Sequence, residues 1–180
     1  GIKPGDRIFL CSESRPEWII SNLAVINVGG ISVPAYTTNT VNDHLHILKD
    51  SGAKAAIVSS QNIAEQVVNA ASQIPEVEHV ITIAEFKHKN SFTLDIRNWQ
   101  TIIENGKNVA TDVSSWVSDI DRDDTAVIIY TSGTGGTPKG VMLAHKSILH
   151  NCSGAKELLS SFNLENEVFL SFLPLSHSYE

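Results

Sequence analysis

The chain has 180 residues, of which 42% are apolar, and a formal net charge of −7, which together are typical of a globular domain with a hydrophobic core. The acidic balance argues against nucleic-acid binding, because that function needs a basic surface. No apolar run approaches the roughly 20 residues of a membrane-spanning helix, and residues 1–7 form a polar turn that does not resemble a signal peptide.

Short apolar runs alternate with helical patterns along the first half of the chain. The runs predict four strands, at Arg7–Cys11, 31–35, Ala55–Val58 and 80–83. A helical pattern follows each of the first three runs. Strands that alternate with helices of about ten residues predict an α/β fold, in which helices cover a parallel-type sheet.

Polar residues and helix breakers mark the ends of these predicted helices. Ser14 and Glu17 have the spacing of a capping box, Thr40 can cap the second helix, and Asn62 with Glu65 can begin the third. The helices are predicted to end at Gly29 and Gly30, at Gly52, and at Pro75.

The second half of the chain is less regular at first. Residues 99–104 predict a helix, whereas the acidic stretch 111–124 predicts a surface connection. The continuous apolar run 125–130 is typical of a strand buried on both faces, and 141–143 and 168–172 predict two more strands. Between the last two strands, a helix is predicted from an apolar stripe made by Ile148, Cys152, Ala155, Leu159 and Phe162.

Residues 131–140 have the composition of a phosphate-binding loop. Their ten positions hold four glycines, three threonines, one serine and one lysine. Glycines let backbone N–H groups approach phosphate oxygens, hydroxyls add hydrogen bonds, and the charge of Lys139 attracts an anion. Pro138 stiffens the exit of the loop. A flexible turn without a ligand is the alternative, but a buried strand that leads into the loop favours binding.

This loop is not a Walker P-loop. In that motif a Gly-Lys-Ser/Thr sequence leads directly into a helix, whereas Pro138 precedes Lys139 here and Gly140 follows it. A short apolar strand, 141–143, comes next. We therefore expect the loop to join two strands as an extended hairpin, in which its own amides bind the phosphates.

The sequence of residues 130–140 resembles the signature loop of the adenylate-forming superfamily, which includes acyl-CoA synthetases, luciferases and peptide-synthetase adenylation domains. The usual sequence of this loop is Tyr-Thr-Ser-Gly-Thr-Thr-Gly-x-Pro-Lys-Gly. This chain departs from it only at Gly135, which replaces a threonine or serine and so removes one hydroxyl. Residues 173–180, Leu-Pro-Leu-Ser-His-Ser-Tyr-Glu, resemble the next motif of the family. Residues 1–6 and 27–40 resemble earlier segments, and the whole is most similar to bacterial long-chain fatty-acid–CoA ligases.

This resemblance implies the function and the site. It implies activation of a fatty acid with ATP and Mg²⁺ to an acyl-adenylate, which coenzyme A then converts to acyl-CoA. Loop residues would bind the nucleotide, Thr131 would also offer its hydroxyl to Mg²⁺, and His177 would line the acyl side as the catalytic residue. The predicted nucleotide-binding residues are Thr131, Ser132, Gly133, Thr134, Gly135, Gly136, Thr137, Pro138, Lys139 and Gly140. A cytoplasmic location follows, with peripheral attachment at the inner membrane face as an option.

By the same resemblance, residues 1–180 correspond to part of the large N-terminal AMP-binding domain. We expect the adenine and ribose motifs, the hinge and the C-terminal domain to lie outside this chain, so that the chain alone is inactive. Two alternatives stay open. The chain can be a non-catalytic polyphosphate-binding module, or part of an adenylate-forming enzyme for another carboxylate.

The cysteines, the tryptophans and the other histidines are expected to have structural roles. The two cysteines, Cys11 and Cys152, lack the spacing of a zinc site and predict small core residues. The three tryptophans are expected to pack. Six histidines without a motif are expected at the surface or at helix ends; they are His44, His46, His79, His88, His145 and His150.

Overall fold

A seven-stranded sheet organises the chain in the computed structural model, which describes residues 2–87, 92–109, 112–131, 136–162, 168 and 170–177. The strands are β1 (Arg7–Cys11), β2 (Ile31–Pro34), β3 (Ala55–Val58), β4 (His79–Thr82), β5 (Asp95–Asn98), β6 (Thr125–Thr131) and β7 (Lys139–Ala144). Their order is β5-β4-β3-β1-β2-β6-β7, and all neighbours are parallel except β6 and β7. The predicted α/β fold with a mainly parallel sheet is confirmed.

Helices connect most of the parallel strands. Within the described residues they are α1 (Pro16–Asn27), α2 (Val41–Ser51), α3 (Gln61–Ala71), α4 (Trp99–Gly106), α5 (Val113–Ser118) and α6 (His145–Ser160). In this described part of the chain, no helix is both long and apolar enough to cross a membrane.

Side chains of β1 alternate between two hydrophobic clusters. Phe9 and Cys11 belong to the larger cluster, which includes buried residues of α2 and α3. Ile8 and Leu10 belong to a second cluster with Trp18 of α1. Because successive strand residues point to opposite faces, helices cover both faces of the sheet. Burial of this kind explains why the central strands have continuous apolar sequences.

Helix α2 has strong signals at both ends. The Thr40 hydroxyl accepts a hydrogen bond from the Asp43 amide, and the Asp43 carboxylate accepts one from the Thr40 amide at 2.8 Å. The helix ends at Gly52, whose φ of 62° is left-handed. Both predicted ends of α2 are therefore confirmed, and its buried residues His44, Ile47 and Leu48 face the core.

Two other predicted helix starts are wrong. Arg15 is the N-cap of α1, and its side chain makes no capping bond. The Ser14 hydroxyl, which was expected to cap the helix, instead accepts a hydrogen bond from the amide of Leu175 at 3.2 Å. Pro16 in the first turn begins the helix without a cap, because its missing N–H would be unpaired there anyway. Helix α3 begins after Ser60, so Asn62 lies within the helix. It also ends at Ala71, before Pro75.

The described structure also differs from the predictions at three segments. Strand β5 was not predicted, because its Asp-Ile-Arg-Asn sequence is polar, as suits the edge of a sheet. The predicted surface connection contains the short helix α5. The predicted strand 168–172 is wrong for its described residues, which have no regular structure and do not pair with the sheet. An apolar run cannot form a strand without a partner for its backbone groups.

Several side chains lie in surroundings other than those expected. His44 is fully buried rather than at the surface or a helix end, and its ring makes an edge contact with Phe9 at a centroid distance of 5.6 Å. Cys11 is a core residue, and burial raises the pKa of its thiol to about 12. Cys152, in contrast, is exposed. No residue of α6 is buried in the described structure, although the predicted helix itself is present.

Candidate functional site

The predicted phosphate loop connects β6 to β7 as an antiparallel hairpin. Tyr130 is the partner of Gly140, and Thr131 is the partner of Lys139. The expected hairpin is therefore confirmed. Ser132, Gly133, Thr134 and Gly135 lie outside the described residues.

A hydroxyl and an ammonium group stand side by side at the base of this hairpin. Thr131 ends β6, Lys139 begins β7, and both residues are exposed. Paired residues of antiparallel strands have Cβ atoms about 5 Å apart. No ion pair between described residues occupies Lys139. The two side chains are thus available together to an anionic ligand.

Glycine is required at two positions of this region for different structural reasons. Gly136 has a φ of 85°, a left-handed conformation that side chains rarely tolerate, and it lies in a turn next to Thr137. Gly140 has an ordinary backbone, but a Cβ there would lie only 2.8 Å from Ile128 Cγ2. Gly136 thus shapes the loop, whereas Gly140 is needed where β7 passes close to side chains of β6.

Helix α2 contacts both ends of the loop. The Tyr130 hydroxyl donates to Asp50 Oδ2 at 2.7 Å, and His46 Nε2 lies 2.8 Å from the carbonyl oxygen of Pro138. The rings of His46 and Tyr130 also meet edge to face at 6.0 Å. Burial, and then the nearby Asp50 carboxylate, raise the pKa of Tyr130 well above its usual range, so its hydroxyl remains a donor.

These α2 contacts were not found by sequence reasoning. His46 was expected at the surface or a helix end, yet it lies within α2 and is only partly exposed. The available signal was weak: His46 and Asp50 are four positions apart and therefore share one face of a helix. Their partners lie 92 and 80 positions further along the chain. Only the order of the strands brings them together.

The turn that contains His177 lies beside the carboxyl ends of the strands, as the loop does. The His177 amide donates to the Pro174 carbonyl at 2.8 Å in this turn, and the neighbouring Leu175 packs against the cluster formed by β1 and α1. The Leu175 amide also reaches Ser14, which follows β1. The carboxyl ends of β1 and β6 are separated by β2. Two strand spacings correspond to about 10 Å, so the His177 turn and the loop flank one stretch of this edge.

A carboxylate occupies the neighbouring part of the edge. Glu13, which follows β1, accepts hydrogen bonds from the Ser59 hydroxyl and, at 2.9 Å, from the Ser60 hydroxyl beyond β3. Partial burial would raise the pKa of Glu13, but these hydrogen bonds and the charge of Arg15 outweigh it and lower the pKa below its ordinary value. Glu13 therefore remains ionised at neutral pH and joins the ends of β1 and β3.

The model of the AMP-binding enzyme family matches residues 1–180. The chain belongs to this family. Its member FadD15 of Mycobacterium tuberculosis, a long-chain-fatty-acid–CoA ligase, is 30% identical over 178 residues, which cover 98% of this chain and 28% of that protein. The chloroplastic long-chain-fatty-acid–[acyl-carrier-protein] ligase AEE15 of Arabidopsis thaliana is 27% identical over 190 residues, which cover 100% of this chain and 26% of that protein.

Solved structures show the same fold. The apo structure of MbtA from Mycobacterium smegmatis superposes with a TM-score of 0.77 at 21% identity, over 99% of this chain and 31% of that chain. This chain therefore spans less than a third of each of the three proteins.

Proposed function

We propose that the protein is an ATP-dependent fatty-acid–CoA ligase. The observation that carries this proposal is the β6–β7 hairpin, which pairs the exposed Thr131 and Lys139 side by side at the base of a loop with a glycine-rich sequence. A polyphosphate presents several negative oxygens in a row, and a backbone loop with one cation and several hydroxyls complements it. Membership in the AMP-binding family supports a nucleotide as the ligand.

The proposed reaction has two steps. A carboxylate oxygen of the fatty acid attacks the α-phosphorus of ATP, the bond to the bridging oxygen breaks, and acyl-AMP and pyrophosphate result. The thiol sulfur of coenzyme A then attacks the acyl carbon, AMP leaves, and the thiol proton is released. In this scheme the loop holds the β- and γ-phosphates in line with the attacking oxygen, so that positioning and charge stabilisation lower the barrier.

The described side chains divide the proposed work between them. Lys139 balances the charge that moves onto pyrophosphate as it leaves, and Thr131 donates to a phosphate oxygen. Mg²⁺, when it arrives with ATP, supplies further charge neutralisation at the phosphates. The described residues include no group of three His, Cys, Asp or Glu side chains that could hold a metal. The Thr131 hydroxyl would offer Mg²⁺ one protein oxygen, and the ion would add positive charge at the phosphates.

The fatty acid is proposed to enter beside the His177 turn. This turn and the loop flank the same edge of the sheet, and the turn is anchored to β1 through Leu175 and Ser14. His177 would then line the acyl side of the reacting carboxylate. The two relatives described above support a long-chain fatty acid, since both are named for that substrate; one is named for coenzyme A as acceptor and the other for acyl carrier protein.

Isotope exchange tests the first step of this proposal. The protein that carries this sequence is incubated with MgATP, labelled pyrophosphate and palmitate, and label in ATP is measured with and without the fatty acid. We expect exchange that depends on palmitate, because only reversible acyl-AMP formation returns pyrophosphate to ATP. Binding of MgATP without exchange for any carboxylate in a panel would instead identify a polyphosphate-binding module.

A thioester assay tests the second step. Coenzyme A and acyl carrier protein are offered separately to the protein after acyl-AMP formation, and acyl-thioester and AMP are quantified. We expect palmitoyl-CoA and AMP in equal amounts. Exclusive transfer to acyl carrier protein would change the proposed acceptor while leaving the activation step intact.

A further inference from the structure

Two residues of α2 fix both ends of the phosphate loop. Asp50 accepts a hydrogen bond from Tyr130, which precedes the loop, and His46 contacts the carbonyl of Pro138 at its exit. We propose that this α2 pair, His46 and Asp50, consists of positioning residues that set the loop for nucleotide binding. This inference rests on the proposed function, since it assigns a role within the same site.

The helix that carries the α2 pair is firmly held. Leu48 and His44 of α2 are fully buried. The inner face of the helix packs into the larger core cluster, together with residues of α3. The capping box at Thr40 fixes its first turn. A helix anchored in this way can act as a fixed reference for the hairpin that it contacts.

The contact with His46 defines the direction of one peptide plane. A carbonyl oxygen only accepts hydrogen bonds, so His46 Nε2 must carry the hydrogen in this contact. The carbonyl of Pro138 and the N–H of Lys139 belong to one planar peptide and point in opposite directions. A hydrogen bond that holds this carbonyl towards α2 therefore also sets the orientation of the Lys139 N–H and the position of the Lys139 backbone.

The contact with Asp50 defines the face on which the ligand-binding side chains stand. Tyr130 points towards α2, and its paired residue Gly140 leaves room for the ring. Because successive residues of a strand face opposite sides, Thr131 and Lys139 must then face away from α2. The α2 pair thus holds the hydroxyl and the ammonium group in place before the nucleotide arrives, which lowers the entropy that binding must remove.

Nucleotide kinetics of single-site variants test this role. His46→Phe removes the donor and keeps an aromatic ring beside Tyr130, whereas Tyr130→Phe removes only the hydroxyl. We expect each variant to raise the KM for MgATP about two- to tenfold, as the loss of one hydrogen bond predicts, with the KM for palmitate unchanged. His46→Gln should restore the KM for MgATP, since its amide N–H can reach the position of Nε2.

A purely structural role for the α2 pair gives a different result. Thr40→Ala serves as the matched control, because it removes the cap of α2 without contacting the loop. It should lower the melting temperature and leave the KM for MgATP unchanged. If His46→Phe and Tyr130→Phe behave like this control, the α2 pair only attaches the helix and the inference is wrong.

Direct titration separates this inference from the proposed function. Binding of MgATP is measured by calorimetry for the wild type, His46→Phe and His46→Gln, without fatty acid. Weaker binding by His46→Phe that His46→Gln restores would support the inference even if the wild type fails to exchange pyrophosphate, an outcome that would overturn only the ligase. Equal affinities for all three proteins would overturn the inference while leaving the ligase intact.

Discussion

The ring of Tyr130 lies directly against the backbone of Gly140 on the neighbouring strand. A Cβ at position 140 would lie 3.1 Å from Tyr130 Cζ and 2.8 Å from Ile128 Cγ2, closer than side-chain atoms normally approach. The glycine therefore permits the hydrogen bond between Tyr130 and Asp50, which links the hairpin to α2. A residue predicted to bind phosphate through its backbone has, in the described structure, a packing reason to be glycine.

Gly140→Ala should destabilise the protein. The added methyl group must displace the Tyr130 ring or separate β6 from β7, and overpacking of this kind costs about 1–3 kcal/mol. The free energy of unfolding, measured by urea denaturation, should fall by this amount.

Gly154→Ala is the matched control for that substitution. Gly154 lies within α6 and has no neighbouring atom within 4 Å of the position of a Cβ. Alanine favours a helix over glycine, so stability should rise by about 0.5–1 kcal/mol. A Gly140→Ala protein as stable as the wild type would show that the hairpin adapts without cost.

Lys139→Ala should impair the use of ATP more than the use of fatty acid. Loss of a charge-assisted contact with phosphate costs about 1.5–3 kcal/mol, which corresponds to roughly ten- to a hundredfold in kcat/KM for MgATP. Lys107→Ala is the control. Lys107 is an exposed lysine at the end of α4, which follows β5, and β5 is the outermost strand on the side of the sheet away from β7. Steady-state kinetics with each substrate varied in turn would measure the difference, and equal ATP kinetics for both variants would show that Lys139 is only solvated.

Local sequence signals predicted most of the sheet and the hairpin. Continuous apolar runs such as Ala55–Val58 allow little besides a buried strand, and the Thr40 cap and Gly52 stop define α2 almost completely. The polar strand β5 could not be predicted in this way, because its conformation comes from pairing with β4 rather than from its own residues. The described residues of 168–172 show the reverse case, because this apolar run has no partner in the described sheet.

The candidate site was predictable only where it is contiguous in sequence. The composition of residues 131–140 predicted a phosphate-binding loop, and the family model, which matches the whole chain, confirmed the family. The contribution of His46 and Asp50 depends on a long-range arrangement, in which α2 lies beside β6 and β7 although it connects β2 to β3. His44, two positions before His46, could not be recognised as a core residue, since a histidine is usually partly exposed.

Burial of His44 should make the protein sensitive to acid. Desolvation lowers the pKa of His44 from 6.5 to about 4, and neither ring nitrogen has a hydrogen-bond partner in the described structure. The unfolded state therefore takes up a proton at His44 before the folded state does. Stability is fully present above pH 6.5, falls as the pH drops towards 4, and loses up to about 3 kcal/mol from this residue.

His44→Phe should remove this part of the pH dependence. Phenylalanine keeps an aromatic ring against Phe9 and has no unpaired nitrogen, so the variant should also be more stable at pH 7. Chemical denaturation between pH 7 and pH 4 would measure both effects. His150→Phe, at an exposed position of α6, is the control and should leave the slope unchanged. Identical slopes for the wild type and His44→Phe would mean that His44 keeps its ordinary proton affinity.

Glu13→Gln should destabilise the protein at neutral pH, and the effect should shrink in acid. Partial burial opposes ionisation of Glu13, but the Ser59 and Ser60 hydroxyls and Arg15 outweigh it and lower the pKa below 4.5. The stabilisation is therefore present above pH 4.5 and lost as the pH falls through the lowered pKa of the folded state. Melting temperatures of the wild type and Glu13→Gln should differ at pH 7 and converge below pH 4.5. Glu76→Gln, at an exposed position before β4, should match the wild type throughout; a constant difference for Glu13→Gln across this range would mean that its carboxylate acts through shape and not through charge.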